Sequence, residues 1–393
     1  MKSLAPVVIM AASTLPYAAH AQSSVTLYGV IDEGINYNSN SGGHPSYAMQ
    51  SGVAQGNRFG LRGTEGLGAG WRSIFVLENG FDVSNGKLAQ GGLLFGRQAY
   101  AGVSNPFLTV TVGRQYDIQA DFIGPFAASR QWAGNIGAHP GDIDNFINTV
   151  RTNNSIKVVS ASVGGLIVGG MYSLGGVAGD PTRNQSWSVG ATYANGPFSA
   201  GAGYLNVRDP NVSYFGNATS GNASATIANS PYPVYSGYLS AHSFQVASAG
   251  LTYKLGRATA SMVYSNATFI GLGDLSAGPN PHGYTGSVHF NTAEASLSFL
   301  IDPQVLLGAA FAYTAGSGVS GTDGHSGARY KSGSIGAQYF LSKRTSVYVL
   351  GVYQAASGVD SLNQSARASI NNQPSASTSD RQAVIRIAMS HKF

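Results

Sequence analysis

Cysteine is absent from the 393 residues. That excludes a disulfide framework, a thiolate nucleophile and a Cys-ligated zinc. Charge is scarce: Asp, Glu, Lys and Arg together make up 10% of the chain, against about a quarter in an average soluble protein. No run of about eighteen or more apolar residues occurs, so there is no candidate transmembrane helix. Two classes survive, a large soluble all-β protein and a β-barrel whose outer face meets lipid. Runs of Lys or Arg are also missing. The formal net charge is +5, but the basic residues stand singly, which fits a channel wall better than a phosphate-binding surface. No nucleic-acid partner is expected. The GxSxG elbow, HExxH pair, P-loop and EF-hand loop are all lacking. Ser is plentiful, but His289 and His391 have no evident partner, so neither an enzyme nor a cofactor is expected. His139 lies near Asp142 and Asp144. A Pro-Gly turn with nearby acids accounts for that spacing, and no metal is expected.

What is present begins with an export signal. Lys2 is the one early charge, an apolar run extends from Leu4 to Leu15, and Ala19-His20-Ala21 forms a small-residue cleavage site. Residues 1–21 read as a signal peptide and 22–393 as one β-barrel domain. Loss of Lys2 takes the formal net charge from +5 to +4.

After Gln22 the period is two. Trp187, Val189, Ala191 and Tyr193 share one face; Ser188, Gly190 and Thr192 share the other. Past the turn Asn195-Gly196-Pro197, Phe198, Ala200, Ala202 and Tyr204 alternate with Ser199, Gly201 and Gly203. Val305, Leu307, Ala309, Phe311 and Tyr313 form another apolar face. Strands of roughly ten residues, tilted by about 45°, span an apolar band of roughly 25 Å. Short connections alternate with long ones at 39–56, 82–93, 117–152, 174–185, 208–243, 269–289, 315–330 and 355–379. Seven short turns and eight long loops give sixteen antiparallel strands, with short periplasmic turns, long extracellular loops and no edge left open to hydrocarbon. A β-sandwich would not sort its turns by length in this way. Aromatics such as Tyr193, Phe198, Tyr253, Tyr264 and Tyr339 gather at strand ends, where the two membrane interfaces favour them.

The final strand alternates Ile385, Ile387, Met389 and Phe393 against Arg386, Ser390 and Lys392. A terminal Phe on such a strand resembles the signal read by the outer-membrane barrel-assembly machinery. The runs SSVTLYGVIDEGINYN, NRFGLRGTEGLGAGWRSIFVLENGFD, LFGRQAYAGVSNP, VGRQYD, GAHPGDIDNF, RTNNSIKVVS and YANGPFSAGAGYLN resemble, in order, the Gram-negative general diffusion porins. The resemblance covers essentially the mature chain, though the long loops beyond residue 208 carry little of it. It implies a homotrimer in the outer membrane, in contact with lipids and lipopolysaccharide. It also implies that the third long loop, 117–152, folds inward to narrow each pore, with a field between basic wall residues and acidic residues.

Phase and resemblance together nominate the site. Phe59 and Leu61 should face out, so Arg58 and Arg62 face the lumen; a charge facing lipid at mid-depth would cost about 2–4 kcal/mol. Arg58 and Arg97 match the family's basic cluster, and Arg151 matches the strand after the constriction loop. Glu78, in phase with Val76 and Ile74, matches a wall acid. Asp121, Asp142 and Asp144 complete the candidate acidic side. Arg114 and Glu33 fall in the outward phase and are candidates for a subunit interface. The middle of the loop, 124–140, departs from the acidic-tip pattern of some porins: it has no Asp or Glu and contains Arg130. The lumen phase is mostly Ser, Thr and Gly, and the 208–243 loop is expected to lie outside. The expectation is a general diffusion channel for ions and small hydrophilic solutes that leans towards anions. The alternatives are a channel selective for particular anions or sugars, and a plugged barrel acting as an adhesin.

Overall fold

The computed structural model describes residues 23–218, 223–321 and 326–393. The expected signal, 1–21, lies outside the described residues. The strands are β1 (Ser24–Ser41), β2 (His44–Ser51), β3 (Arg58–Gly68), β4 (Trp71–Gly80), β5 (Gln98–Ser104), β6 (Leu108–Gln115), β7 (Thr152–Ser160), β8 (Leu166–Ser173) and β9 (Ser186–Asn195). They continue with β10 (Phe198–Arg208), β11 (Ser243–Leu255), β12 (Ala258–Leu272), β13 (Gly286–Asp302), β14 (Val305–Gly316), β15 (Arg329–Phe340), β16 (Thr345–Ser357) and β17 (Arg381–Lys392).

Each strand pairs antiparallel with its neighbours, and β17 returns to β1 with Val30 opposite Lys392 and Asn38 opposite Val384. The upper half of β1 pairs with β2 and the lower half with β3. These two short strands are one stave with a break in it, so the closed barrel has sixteen staves, as expected. Burial follows the alternation: Leu251, Tyr253, Met262 and Tyr264 are exposed on the outside, while Ser248, Thr252, Ser261 and Ser265 are buried inside. The short turns fall where expected; the β9–β10 turn needs Gly196 at φ +56°.

Two loop expectations change. The first loop, expected over 39–56, is mostly sheet: β1 and β2 run on to a turn at residues 42 and 43, and the irregular segment is 52–57. Asp32 makes this break. Its carboxylate accepts from the amides of Val53 and Ala54 at 2.9 and 3.2 Å, and its own amide donates to Asn57 Oδ1.

The 208–243 loop, hereafter loop 5, does not stay outside. Tyr214, Phe215, Tyr235 and Tyr238 are buried against Phe244, Phe269 and Phe290, which point inward from β11, β12 and β13. Phe215 stacks on Tyr235 at 4.9 Å, and Phe244 lies 4.6 Å from Phe269. The lumen phase is therefore Ser, Thr and Gly only in its lower half. Inward phenyl rings facing water would leave apolar area unburied at about 25 cal/mol per Å², and loop 5 supplies the cover.

Candidate functional site

Loop 3, residues 116–151, descends into the barrel as a series of short helical turns. Its side chains seat on wall glycines. Ile118 fills the space above Gly190, Phe126 that above Gly250, and the Trp132 indole that above Gly308 and Gly336, where any Cβ would crowd these groups. Polar contacts fix the height. Gln119 Nε2 donates to Val246 O at 2.8 Å, the Ala128 amide to Glu294 Oε1 at 2.7 Å and Trp132 Nε1 to Ser296 Oγ at 3.1 Å. Beyond Trp132 the loop crosses to the break in the second stave. There the Asn135 amide donates to Val53 O at 2.7 Å and its Nδ2 to Gly52 O at 3.1 Å.

The loop thus covers the wall formed by β8 to β15 and leaves β3 to β6 uncovered. Between loop 3 and this bare wall lies a cavity of about 600 Å³. Arg58, Glu78 and Arg97 line it from the wall side, and Tyr116, Arg130, Asn135, Thr149 and Arg151 from loop 3; Tyr232 of loop 5 and Asn371 and Asn372 of the last loop complete the rim.

Glu78 is the one carboxylate among these lining residues, and it does not oppose the arginines. It lies beneath them. Arg97 Nε donates to its Oε1 at 2.8 Å, Arg58 Nε stands 3.7 Å from Oε2, and the hydroxyls of Tyr116 and Tyr28 each donate to it at 3.0 Å. Arg97 Nη2 donates to Tyr116 Oη at 2.8 Å, and Arg151 lies over the same ring at 5.7 Å. Burial and the neighbouring Arg97 charge push the Arg151 guanidinium down to about 10, which leaves it cationic at neutral pH. Arg130 is exposed to the cavity from the loop side.

The other nominated residues sit elsewhere. Arg62 is inward as its phase required, but it stands four residues past Arg58 towards the periplasmic end, over Tyr28 and outside the cavity lining. Asp121 does not line the cavity; its Oδ2 accepts from Lys157 Nζ at 2.8 Å. Asp142 and Asp144 are buried within the loop's attachment. Asp142 accepts from the amides of Ile147 and Thr149 at 3.1 and 3.0 Å. Asp144 accepts from Ser265 Oγ at 2.7 Å and holds His139 Nδ1 at 2.6 Å, while His139 Nε2 faces Glu294 at 3.3 Å. The acids of the GDID stretch thus fold the loop and fasten it to β12 and β13 instead of facing solute. Arg114 is outward, as expected, and donates to Gly96 O and Asn217 O, tying loop 5 to the second loop.

Sequence reasoning missed the role of Arg386. Its Nη2 donates to Asp32 Oδ1 at 2.9 Å and its Nε to Tyr348 Oη at 2.8 Å, all buried. The signal was available: an inward base on the last strand and an inward acid on the first must meet when a barrel closes.

A closed antiparallel barrel with an apolar outer band, a loop folded into its lumen and an arginine-lined aperture defines a membrane channel. Residues 5–358 match the model of the Gram-negative porin family. An outer membrane porin protein of Bordetella pertussis is 31% identical over 86% of this chain and 90% of that protein. Outer membrane porin protein 32 of Delftia acidovorans is 34% identical over 51% of this chain and 58% of that protein. The anion-selective porin from Comamonas acidovorans superposes with a TM-score of 0.72 at 18% identity, covering 95% of this chain and all of that one. A trimeric form of OmpT from Vibrio cholerae superposes at 0.63 with 13% identity, over 94% of this chain and 99% of that one. The chain belongs to the Gram-negative porin family, and it is an outer-membrane porin.

Proposed function

We propose that the channel is a general diffusion pore whose aperture prefers anions. The observation that carries this is the lining: Arg58, Arg97, Arg130 and Arg151 face the cavity, against one carboxylate, Glu78, already engaged by two of them. An excess of one sign in a narrow, low-dielectric passage concentrates counter-ions. Fast flux also requires that each anion leave easily. A channel selective for one solute class would present an open aromatic track in the lumen. The lumen here does hold aromatics, but loop 5 seals most of them away, which supports the non-selective reading. No catalysis enters it. Self-association into homotrimers and assembly through the Phe393 strand belong to the same reading.

The test is the reversal potential of single channels in a planar bilayer under a potassium chloride gradient. The expected sign is that of chloride preference, with openings in multiples of three. A potential of the opposite sign would overturn the reading.

A further inference from the structure

We propose that Asp209, His242 and Asp274 form a divalent transition-metal site, fitted to zinc, at the extracellular rim. The three residues stand at the tops of adjacent staves. Asp209 follows β10, His242 precedes β11, and Asp274 lies two residues past β12. The backbone gathers them: Asp209 N donates to His242 O, His242 N to Gly271 O and Asp274 N to Ser240 O, each at 3.0 Å. One carboxylate oxygen from each aspartate and one imidazole nitrogen all lie within 4.8 Å of one another. His242 Nδ1 and Asp274 Oδ2 are 3.2 Å apart. That matches the edge, about 3.3 Å, of a tetrahedron built on zinc bonds of about 2.0–2.1 Å to nitrogen and oxygen.

A separate observation points to a cation. Asp209 is only 6% exposed. Among the described residues no Lys or Arg pairs with it; its Oδ2 accepts one bond, from Asn184 N at 3.1 Å, and its Oδ1 accepts none. Asp209 Oδ1 keeps an opening to solvent, but a carboxylate so largely buried and without a counter-charge is unfavourable, and a metal ion supplies the charge that the protein does not. The donor type selects the ion. One imidazole and two carboxylates suit zinc, with a fourth position open to water, whereas calcium and magnesium favour six or more oxygens. His242 and Asp274 are partly exposed and give an ion its way in.

The position gives the site its consequence. Asp209 and His242 stand at the two ends of loop 5 and Asp274 in the segment between β12 and β13, so a metal among them fastens at its root the loop that fills the upper lumen. The test is calorimetric titration of zinc chloride into the folded, full-length channel in detergent after EDTA treatment, with thermal unfolding run alongside. One saturable zinc per chain is expected, with a raised unfolding midpoint. Asp209→Asn and His242→Gln should each weaken binding at least about tenfold and abolish the rise in midpoint. If either variant does not fold, Asp274→Asn, at a partly exposed position, carries the same expectation. Absence of saturable binding at submillimolar zinc, binding undiminished in the variants, or calcium binding as tightly as zinc would each overturn the proposal.

Discussion

The two sides of the lumen obey the same alternation and differ in everything that follows from it. On β3 to β6 the inward positions carry Arg58, Glu78 and, beside the strand, Arg97, and the wall stays bare and wet. From β8 to β15 the inward positions carry glycine and serine below and phenyl rings above, and the wall is covered. Glycine admits an indole or a phenyl from loop 3, and inward Phe244 and Phe269 call for partners, which loop 5 provides. A lumen side chain thus decides whether its patch of wall conducts or becomes a seat for a loop. Period two says which residues face inward; residue size and polarity say which half of the inside remains a channel.

The comparison can be broken at several points. Removing a ring from the covered side should have the largest effect. Phe215→Ala deletes a phenyl packed among Tyr214, Tyr235, Phe244 and Phe269 and should weaken loop 5 by about 3–5 kcal/mol, seen as faster proteolytic nicking of that loop. Gly308→Leu forces a side chain into the space of the Trp132 indole. It should destabilise by about 1–3 kcal/mol and give larger, noisier single-channel currents. Unchanged currents would sever loop 3 from this seat. On the bare side, combined Arg58→Ser, Arg97→Ser and Arg151→Ser should lower the anion-to-cation permeability ratio about tenfold, read from reversal potentials. A ratio that does not fall would move selectivity elsewhere.

The attachment of loop 3 to the covered side should respond to pH. Burial first, and the Asp144 charge second, push the Asp142 carboxyl up to about 7. Burial alone would lower His139, but Asp144 and Glu294 hold it well above its ordinary value. Both groups bind protons more tightly in the folded chain than in the unfolded one. Their contribution to stability is therefore greatest in acid. It is lost as pH rises, for Asp142 between about 4 and 7 and for His139 above about 6.5. Unfolding midpoints should fall from pH 5 to 8, and Asp142→Asn should flatten the lower part of that slope. The smallest effect is expected at Arg62→Ala, outside the cavity: within about 0.5 kcal/mol, with an unchanged reversal potential. A shift as large as that of the triple variant would extend the aperture towards the periplasm.

Strand count, the inward and outward faces of the strands, and Arg58 and Arg97 were legible because each rests on period two or on a motif anchored to a strand. Phase placed Arg58, and the LENGF and FGR runs placed Glu78 and Arg97. Legibility ended where the period ended. Asp142 and Asp144 have no phase, and a carboxylate that caps its own loop looks in sequence like one that faces solute. Loop 5 misled through composition. Its Ser, Asn and Ala dominate, while Tyr214, Phe215, Tyr235 and Tyr238 are too irregularly spaced to declare a buried face. Glu78 was found in the right place with the wrong sense, because sequence gives the wall position but not what lies above it.

The break in the second stave also ties the constriction to closure of the barrel. Loop 3 ends its crossing on the carbonyls of Gly52 and Val53, which Asp32 shapes, and Asp32 is held by Tyr348 and Arg386 from the last two strands. The foothold of the constriction is therefore complete only once the carboxy-terminal strand has docked on the first. A barrel stalled one strand short would lack this foothold while keeping the loop's contacts to β11 and β13. The same few atoms that seal the wall certify the opening.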